Sequence, residues 1–265
     1  MEADSDLNDK RKLSKEVHAQ HIETAQKCKK DRKWEGTVIV TSEAGNAYFE
    51  AAKVAENELV EHGVFSRNYR SSAICYHISR SKRAYEACHK TIEAHLKDEA
   101  INDAIHMSVM SGYQYETDCE DFLISNEFYN KAEDLRVNYN LKHSCELTHE
   151  NMQGFIVDVS EELDKNPKNS LRIINSKSKV VHKAGICRKC VYFWIEFFEY
   201  FKGIRKLVNQ YPNYNYYRGN IDSLKEYHEK FKEKLTQTIA YVEKLSERRK
   251  RVVTDNDRSE QPKDA

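Results

Sequence analysis

The chain has 265 residues, with 43 basic side chains balanced by 43 acidic ones and 39% hydrophobic residues, a size that fits one large domain or two modest ones. Its neutral balance argues against a domain that lives by binding nucleic-acid phosphates, which carries a basic excess, and no apolar run reaches the roughly 18–20 residues that cross a bilayer. Only 8 glycines and 3 prolines interrupt it, so few, long helices are expected rather than a sheet with many turns.

Residues 1–9 are expected to be a disordered lead-in. From Lys10 to about Lys33, Leu13, Val17, His21, Thr24 and Cys28 recur at helical spacing as a weakly apolar stripe. Trp34–Val40, "WEGTVIV", is read as the start of a second helix that runs to about Glu61, where His62–Gly63 supplies a left-handed cap. A third segment, Ser66–Leu96, carries Ile74, Ile78, Ser81, Tyr85, Cys88 and Ile92 in three-four alternation, which predicts one continuous helix seam. Ile101–Tyr115 is helical again, weakened at Gly112, and "TDCED" at Thr117–Asp121 offers an N-cap for the next helix.

From Asp121 to about Asp164 the pattern fits one long helix or two, with Phe122, Tyr129, Leu135, Met152, Phe155 and Leu163 on one side. "NPKNS", Asn166–Ser170, is a turn. Leu171 to about Gln210 reads as a single long helix, closed by the loop "YPNYNYYRGN". In the last helix, Asn220 to about Val252, Ile221, Leu224, His228, Phe231, Leu235, Thr238, Val242, Leu245, Arg249 and Val252 hold heptad a and d positions. Residues 253–265 form a polar tail. The expected architecture is all-α: antiparallel long helices in one domain, 10–252, with a sub-boundary near 166–170, arranged as a bundle or a solenoid.

Two basic clusters, Lys27–Lys33 and Glu247–Arg251, read as solvated helix ends. Seven cysteines (Cys28, Cys75, Cys88, Cys119, Cys145, Cys187 and Cys190) follow no secretory signal, so reduced thiols and a cytoplasmic location are expected. "CRKC", Cys187–Cys190, is the one close cysteine pair, and His143 and Cys145, "HSC", the other His/Cys pair. Zinc takes four ligands, usually from loops, whereas Cys187–Cys190 falls within a predicted helix. His182 sits about 140° around that helix from Cys187 at 3.6 residues per turn. The pair therefore reads as two core cysteines, and no metal, cofactor or catalytic role is assigned to any residue. His18 with His21, and Glu196 with Glu199, likewise share faces without completing a site. No hydrolase elbow, zinc-protease or kinase signature occurs, so a non-enzymatic protein is expected.

"EAGNAYFEAAKVAENEL", Glu43–Leu59, sets Ala44, Ala47, Ala51, Ala52 and Ala55 beside Tyr48 and Phe49. Small residues let a neighbouring helix approach and the aromatic rings fill the gaps, a pattern suited to stacked helix hairpins. Ser71–Lys90 and Ser125–Leu135 echo it. The stretch "AGNAYFEAA" resembles the helices of the soluble NSF attachment proteins, a tetratricopeptide-like family of vesicle-fusion adaptors, and the resemblance spans residues 34–135. It implies a helical repeat that binds proteins without catalysis, and points to no individual residue. The reading is a helical interaction scaffold or adaptor of membrane traffic, with protein partners and with Tyr48, Phe49, Trp194, Phe197 and Phe198 as candidate aromatic anchors. The alternative is an elongated, BAR-like module that self-associates through residues 221–252 and makes peripheral contact with a membrane surface.

Overall fold

The structure, a computed structural model, describes residues 2–31, 38–59, 63–209 and 217–259. They form α1 (Glu2–Asp31), α2 (Val38–Val54), α3 (Val64–Ile78), α4 (Arg83–Lys97), α5 (Ile101–Thr117), α6 (Phe122–Asn138), α7 (His149–Lys165), α8 (Pro167–Ala184), α9 (Val191–Asn209) and α10 (Tyr217–Ser259), with no strand among the described residues. The chain divides into two compact units at Tyr139/Asn140. The all-α expectation is met; the division falls at the end of α6, not near 166–170.

In the first unit each helix packs on the next in sequence, α1 on α2 and so on through α6, the nearest-neighbour order of a solenoid. Helix α1 is helical from Glu2, where a lead-in through residue 9 was expected. Trp34 to Thr37, at the expected start of the second helix, lie outside the described residues, and α2 begins at Val38. The alanines behave as their spacing suggests: Ala44, Ala51, Ala52 and Ala55 are buried against neighbours, and Phe49 meets Tyr69 edge-on at 5.2 Å between ring centroids. At Gly45, α2 and α3 touch closely. A Cβ there would lie 2.8 Å from the Tyr76 ring, and the Gly45 carbonyl accepts a hydrogen bond from Ser72 Oγ at 2.8 Å.

A single π-helical turn, Ala55–Leu59, follows α2. Such wide turns redirect side chains, and here Glu56 accepts from Tyr69 Oη at 2.7 Å and pairs with Lys97 of α4. Those two partners hold the Glu56 carboxyl below its ordinary range, against burial, which acts first and in the opposite direction.

The expected helix over 66–96 is two helices. Between α3 and α4 the chain turns through Arg80 in the left-handed region, φ 52°. The Ser81 N–H returns to the Tyr76 carbonyl at 2.9 Å, satisfying a helix-end acceptor. Ile74 and Ile78, expected in the seam, are consequently exposed. Glu99 closes α4 in the same way, φ 56°. Gly112, expected to weaken the end of α5, instead lies inside it, where an added Cβ would come 3.0 Å from the Tyr129 ring of α6.

The second unit closes a ring: α7 packs on α8, α8 on α9, α9 on α10, and α10 back on α7, a four-helix bundle. Asn166 ends α7 and Pro167 opens α8 at its first helical position, so the expected turn is a single residue wide. The stretch 171–210 is broken at Gly185, φ 73°, with α9 starting at Val191. Along α10, the heptad residues Leu224, His228, Phe231, Leu235 and Leu245 are buried. The Tyr200 ring stacks on Phe231 at 4.2 Å, and His228 Nε2 shares a hydrogen bond with Ser160 Oγ of α7, so this stripe is covered within the unit. Helix α10 runs past Val252 to Ser259; residues 260–265 of the expected tail, and Tyr211, Tyr214 and Tyr216 of the tyrosine-rich loop, lie outside the described residues.

Candidate functional site

The aromatic residues singled out as anchors separate into two groups. Phe49 is 1% exposed, Tyr48 8% and Phe197 0%. The expectation that these three present a face to a partner is corrected by their place in mid-helix, facing neighbouring helices: Phe49 against Tyr69 and Tyr76, Phe197 against Phe155 at 5.5 Å. Trp194 and Phe198, one helical turn apart on α9 with rings 4.4 Å apart, remain partly exposed. Glu196 and Glu199 have structural partners, Lys234 at 2.9 Å and Lys202 at 2.7 Å, and form no acid–base pair with one another.

One cleft of about 490 Å³ opens in the first unit between the α3–α4 and α5–α6 turns, lined by Tyr76, His77, Tyr85, Tyr115 and Cys119 among others. His77 is buried, its Nε2 lies 3.5 Å from Cys88 Sγ, and its ring meets Tyr115 edge-on. Burial keeps His77 neutral by lowering its pKa, and pushes the Cys88 thiol up to about 12. A neutral imidazole beside a protonated thiol is not an activated nucleophile; Cys88 lies behind the cleft, whose wall mixes the aromatic rings with Arg80, Lys82, Asp118 and Asp121.

The second unit holds a different arrangement. Residues 141–148 run without regular secondary structure to Thr148, whose hydroxyl caps α7 by accepting from the Asn151 N–H at 3.2 Å. This loop is anchored by buried Leu147 and by Lys177 Nζ, which donates to the Glu146 carbonyl at 3.1 Å. Across from it, Gly185 stops α8 and the chain makes a tight turn in which the Cys190 N–H donates to the Cys187 carbonyl at 3.1 Å. The turn aims Cys187 and Cys190 at the loop. Cys187 Sγ lies 3.5 Å from Cys190 Sγ and 3.8 Å from Cys145 Sγ, while His143 Nε2 lies 3.7 Å from Cys190 Sγ. The four side-chain ligand atoms fall within 4.8 Å of one another.

Read from the sequence alone, "HSC" and "CRKC" stay apart because the second falls inside a predicted helix. The structure puts it in a turn, the setting in which paired cysteines serve as ligands. The missed signal is Gly185, two residues before Cys187. His182, the nearest histidine in sequence to the pair, is exposed and outside the cluster. Within the cluster the Cys187 thiol is pushed down, chiefly by the hydrogen bond from Cys190 and then, against burial, by His143. Cys190 is pushed up by the same bond. Cys145 is pushed up to about 11, first by burial and then by the charge on Cys187.

Compared with known proteins, residues 9–153 match the family model described as "Soluble NSF attachment protein, SNAP", just over half of the 265 residues. The match takes in α2 to α6 whole, and His143 and Cys145, but ends before Cys187 and Cys190. No curated protein and no solved structure matches the chain.

Proposed function

The chain belongs to the soluble NSF attachment protein family, and from that premise we propose that it is a non-enzymatic helical adaptor of vesicle traffic that works in the cytoplasm and engages an NSF-type ATPase. The carrying observation is that the family match covers the sequentially packed helices of the first unit from residue 9, within α1, to the end of α6. A solenoid of this kind offers its partners inter-helix grooves rather than a reaction pocket. Among the described residues no helix is long and apolar enough to cross a membrane. Trp194 and Phe198 are the two aromatic candidates left accessible enough to anchor a partner.

The test is co-precipitation of the full chain with an NSF-type ATPase from the same organism, with a parallel sedimentation assay on anionic vesicles. Retention of the ATPase, weakened about tenfold by Trp194→Ala with Phe198→Ala, supports the reading. A chain that ignores the ATPase but dimerises and sediments with bare anionic vesicles points instead to the BAR-like module.

A further inference from the structure

We propose that His143, Cys145, Cys187 and Cys190 form a structural zinc site that ties the loop before α7 to the α8–α9 turn. The proposal is independent of the adaptor reading: it concerns the second unit, and two of the four ligands lie beyond the family match.

The geometry carries it. Tetrahedral zinc with Zn–S of about 2.3 Å and Zn–N of about 2.0 Å sets its sulfurs about 3.8 Å apart and a sulfur–nitrogen edge at about 3.5 Å. The cluster shows 3.5 and 3.8 Å for two sulfur–sulfur separations and 3.7 Å for sulfur to nitrogen. A disulfide requires about 2.05 Å, so the sulfurs are spaced for a shared ion rather than for a bond, and the cysteines are free. Three sulfurs and one imidazole nitrogen form a donor set that selects zinc over oxygen-preferring cations. The set is also complete. A catalytic zinc keeps a position open for water, whereas four protein ligands close the shell and leave the ion a structural role.

The placement supplies the reason for a clamp. The loop 141–148 has no backbone ladder of its own, and it meets a turn 42 residues further along the chain. On binding, each thiol that still carries a proton releases it to solvent as sulfur bonds the ion; no electrons move and no oxidant is needed. Lys189, next to Cys190 in the chain and exposed, places a positive charge near the net negative charge that three thiolates and one zinc leave behind.

The full chain, expressed with zinc available and purified without chelators, is analysed by plasma mass spectrometry. We expect about one zinc per chain, exchange for Co(II) with ligand-field and thiolate charge-transfer bands of a tetrahedral sulfur-rich site, and protection of Cys187 and Cys190 from alkylation. Cys119→Ser, at an exposed cysteine of the first unit, keeps the metal. Cys187→Ser with Cys190→Ser loses it. Since that variant can fail to fold for other reasons, His143→Cys is the sharper test: it preserves a four-ligand shell and retains zinc, whereas His143→Ala binds it at least tenfold more weakly. Wild-type protein that carries no zinc and shows no Co(II) bands on titration, whether its thiols are free or paired as a disulfide, overturns the proposal. So does unchanged zinc affinity in His143→Ala, measured by competition with a chelator.

Discussion

A methyl group placed at Gly45 would lie 2.8 Å from two atoms of the Tyr76 ring and 3.3 Å from Cys75 Cβ. Tyr76 is 0% exposed and its hydroxyl donates to Asn46 Oδ1 at 2.6 Å, so the ring cannot swing aside. Helix propensity favours alanine over glycine by about 1 kcal/mol, but overpacking a tight contact costs about 1–3 kcal/mol. Gly45→Ala is therefore expected to lower stability, seen as a reduced urea midpoint; an increase would show that α2 and α3 can move apart freely. A second residue sets a pH dependence. His228 is 2% exposed, with Ser160 Oγ 2.9 Å from Nε2 and Tyr200 Oη 2.9 Å from Nδ1. Two hydroxyls satisfy a neutral ring in either tautomer, and burial depresses its pKa. The unfolded chain, with an ordinary histidine near 6.5, then takes up the proton first. Stability is full above about pH 6.5 and falls as pH drops, by at most about 1.4 kcal/mol per pH unit for each such histidine. His77 and His95 are shifted in the same direction by burial. Thermal melts at pH 7.5 and 5.5 should show a lower midpoint at the acid value, with the difference reduced in His228→Gln. Equal midpoints would mean these rings are solvated.

At the scale of elements, the helices were legible in the sequence and several of their ends were not. Glycine and proline are the signals by which breaks are read, yet the turns after α3, α4 and α5 are closed by Arg80, Glu99 and Glu120 in the left-handed region. Charged residues there leave no mark in composition, which is why a three-four stripe could be followed straight through Ser79–Lys82. Where the signal was present, at Gly185, it was outweighed by the apolar run after it, and the zinc ligands were lost with it. His143 and Cys145 could not have been joined to Cys187 by any local pattern, because 42 residues and two helices separate Cys145 from Cys187. Burial of Phe49 and Phe197 was equally hidden, since periodicity shows that a face is apolar but not whether a partner chain or the same chain covers it. The left-handed ends give a prediction. Glu99 is exposed, at φ 56°; a side chain costs about 1–2 kcal/mol in that region, and glycine's extra unfolded-state freedom offsets part of the relief. Glu99→Gly should raise stability by about 0.5–1 kcal/mol, measured as a higher urea midpoint with unchanged slope. A loss would place the Glu99 side chain in an interaction worth more than the strain.

At the scale of the whole molecule, the two units differ in what holds them. The first has a run of buried aromatic rings, among them Phe49, Phe65, Tyr69, Tyr76 and Phe128, along helices that each grip the next. The second buries Phe155, Phe197 and Phe231 inside its ring of helices, but its loop 141–148 depends on side chains for attachment. Closing a loop of about 42 residues with a cross-link is worth about 4 kcal/mol by chain-entropy reasoning, comparable with the entire stability margin of a small domain. Removing the ion should therefore open the second unit at its α8–α9 turn long before the first unit responds. The measurement is alkylation of each cysteine by mass spectrometry, with and without a strong zinc chelator, under native conditions. Cys145, Cys187 and Cys190 should become reactive on chelation, while Cys75 and Cys88, buried in the first unit, stay protected at their original rates. If Cys88 reacts in step with Cys190, the chain opens as one cooperative body, and its adaptor surface would then depend on the metal as well.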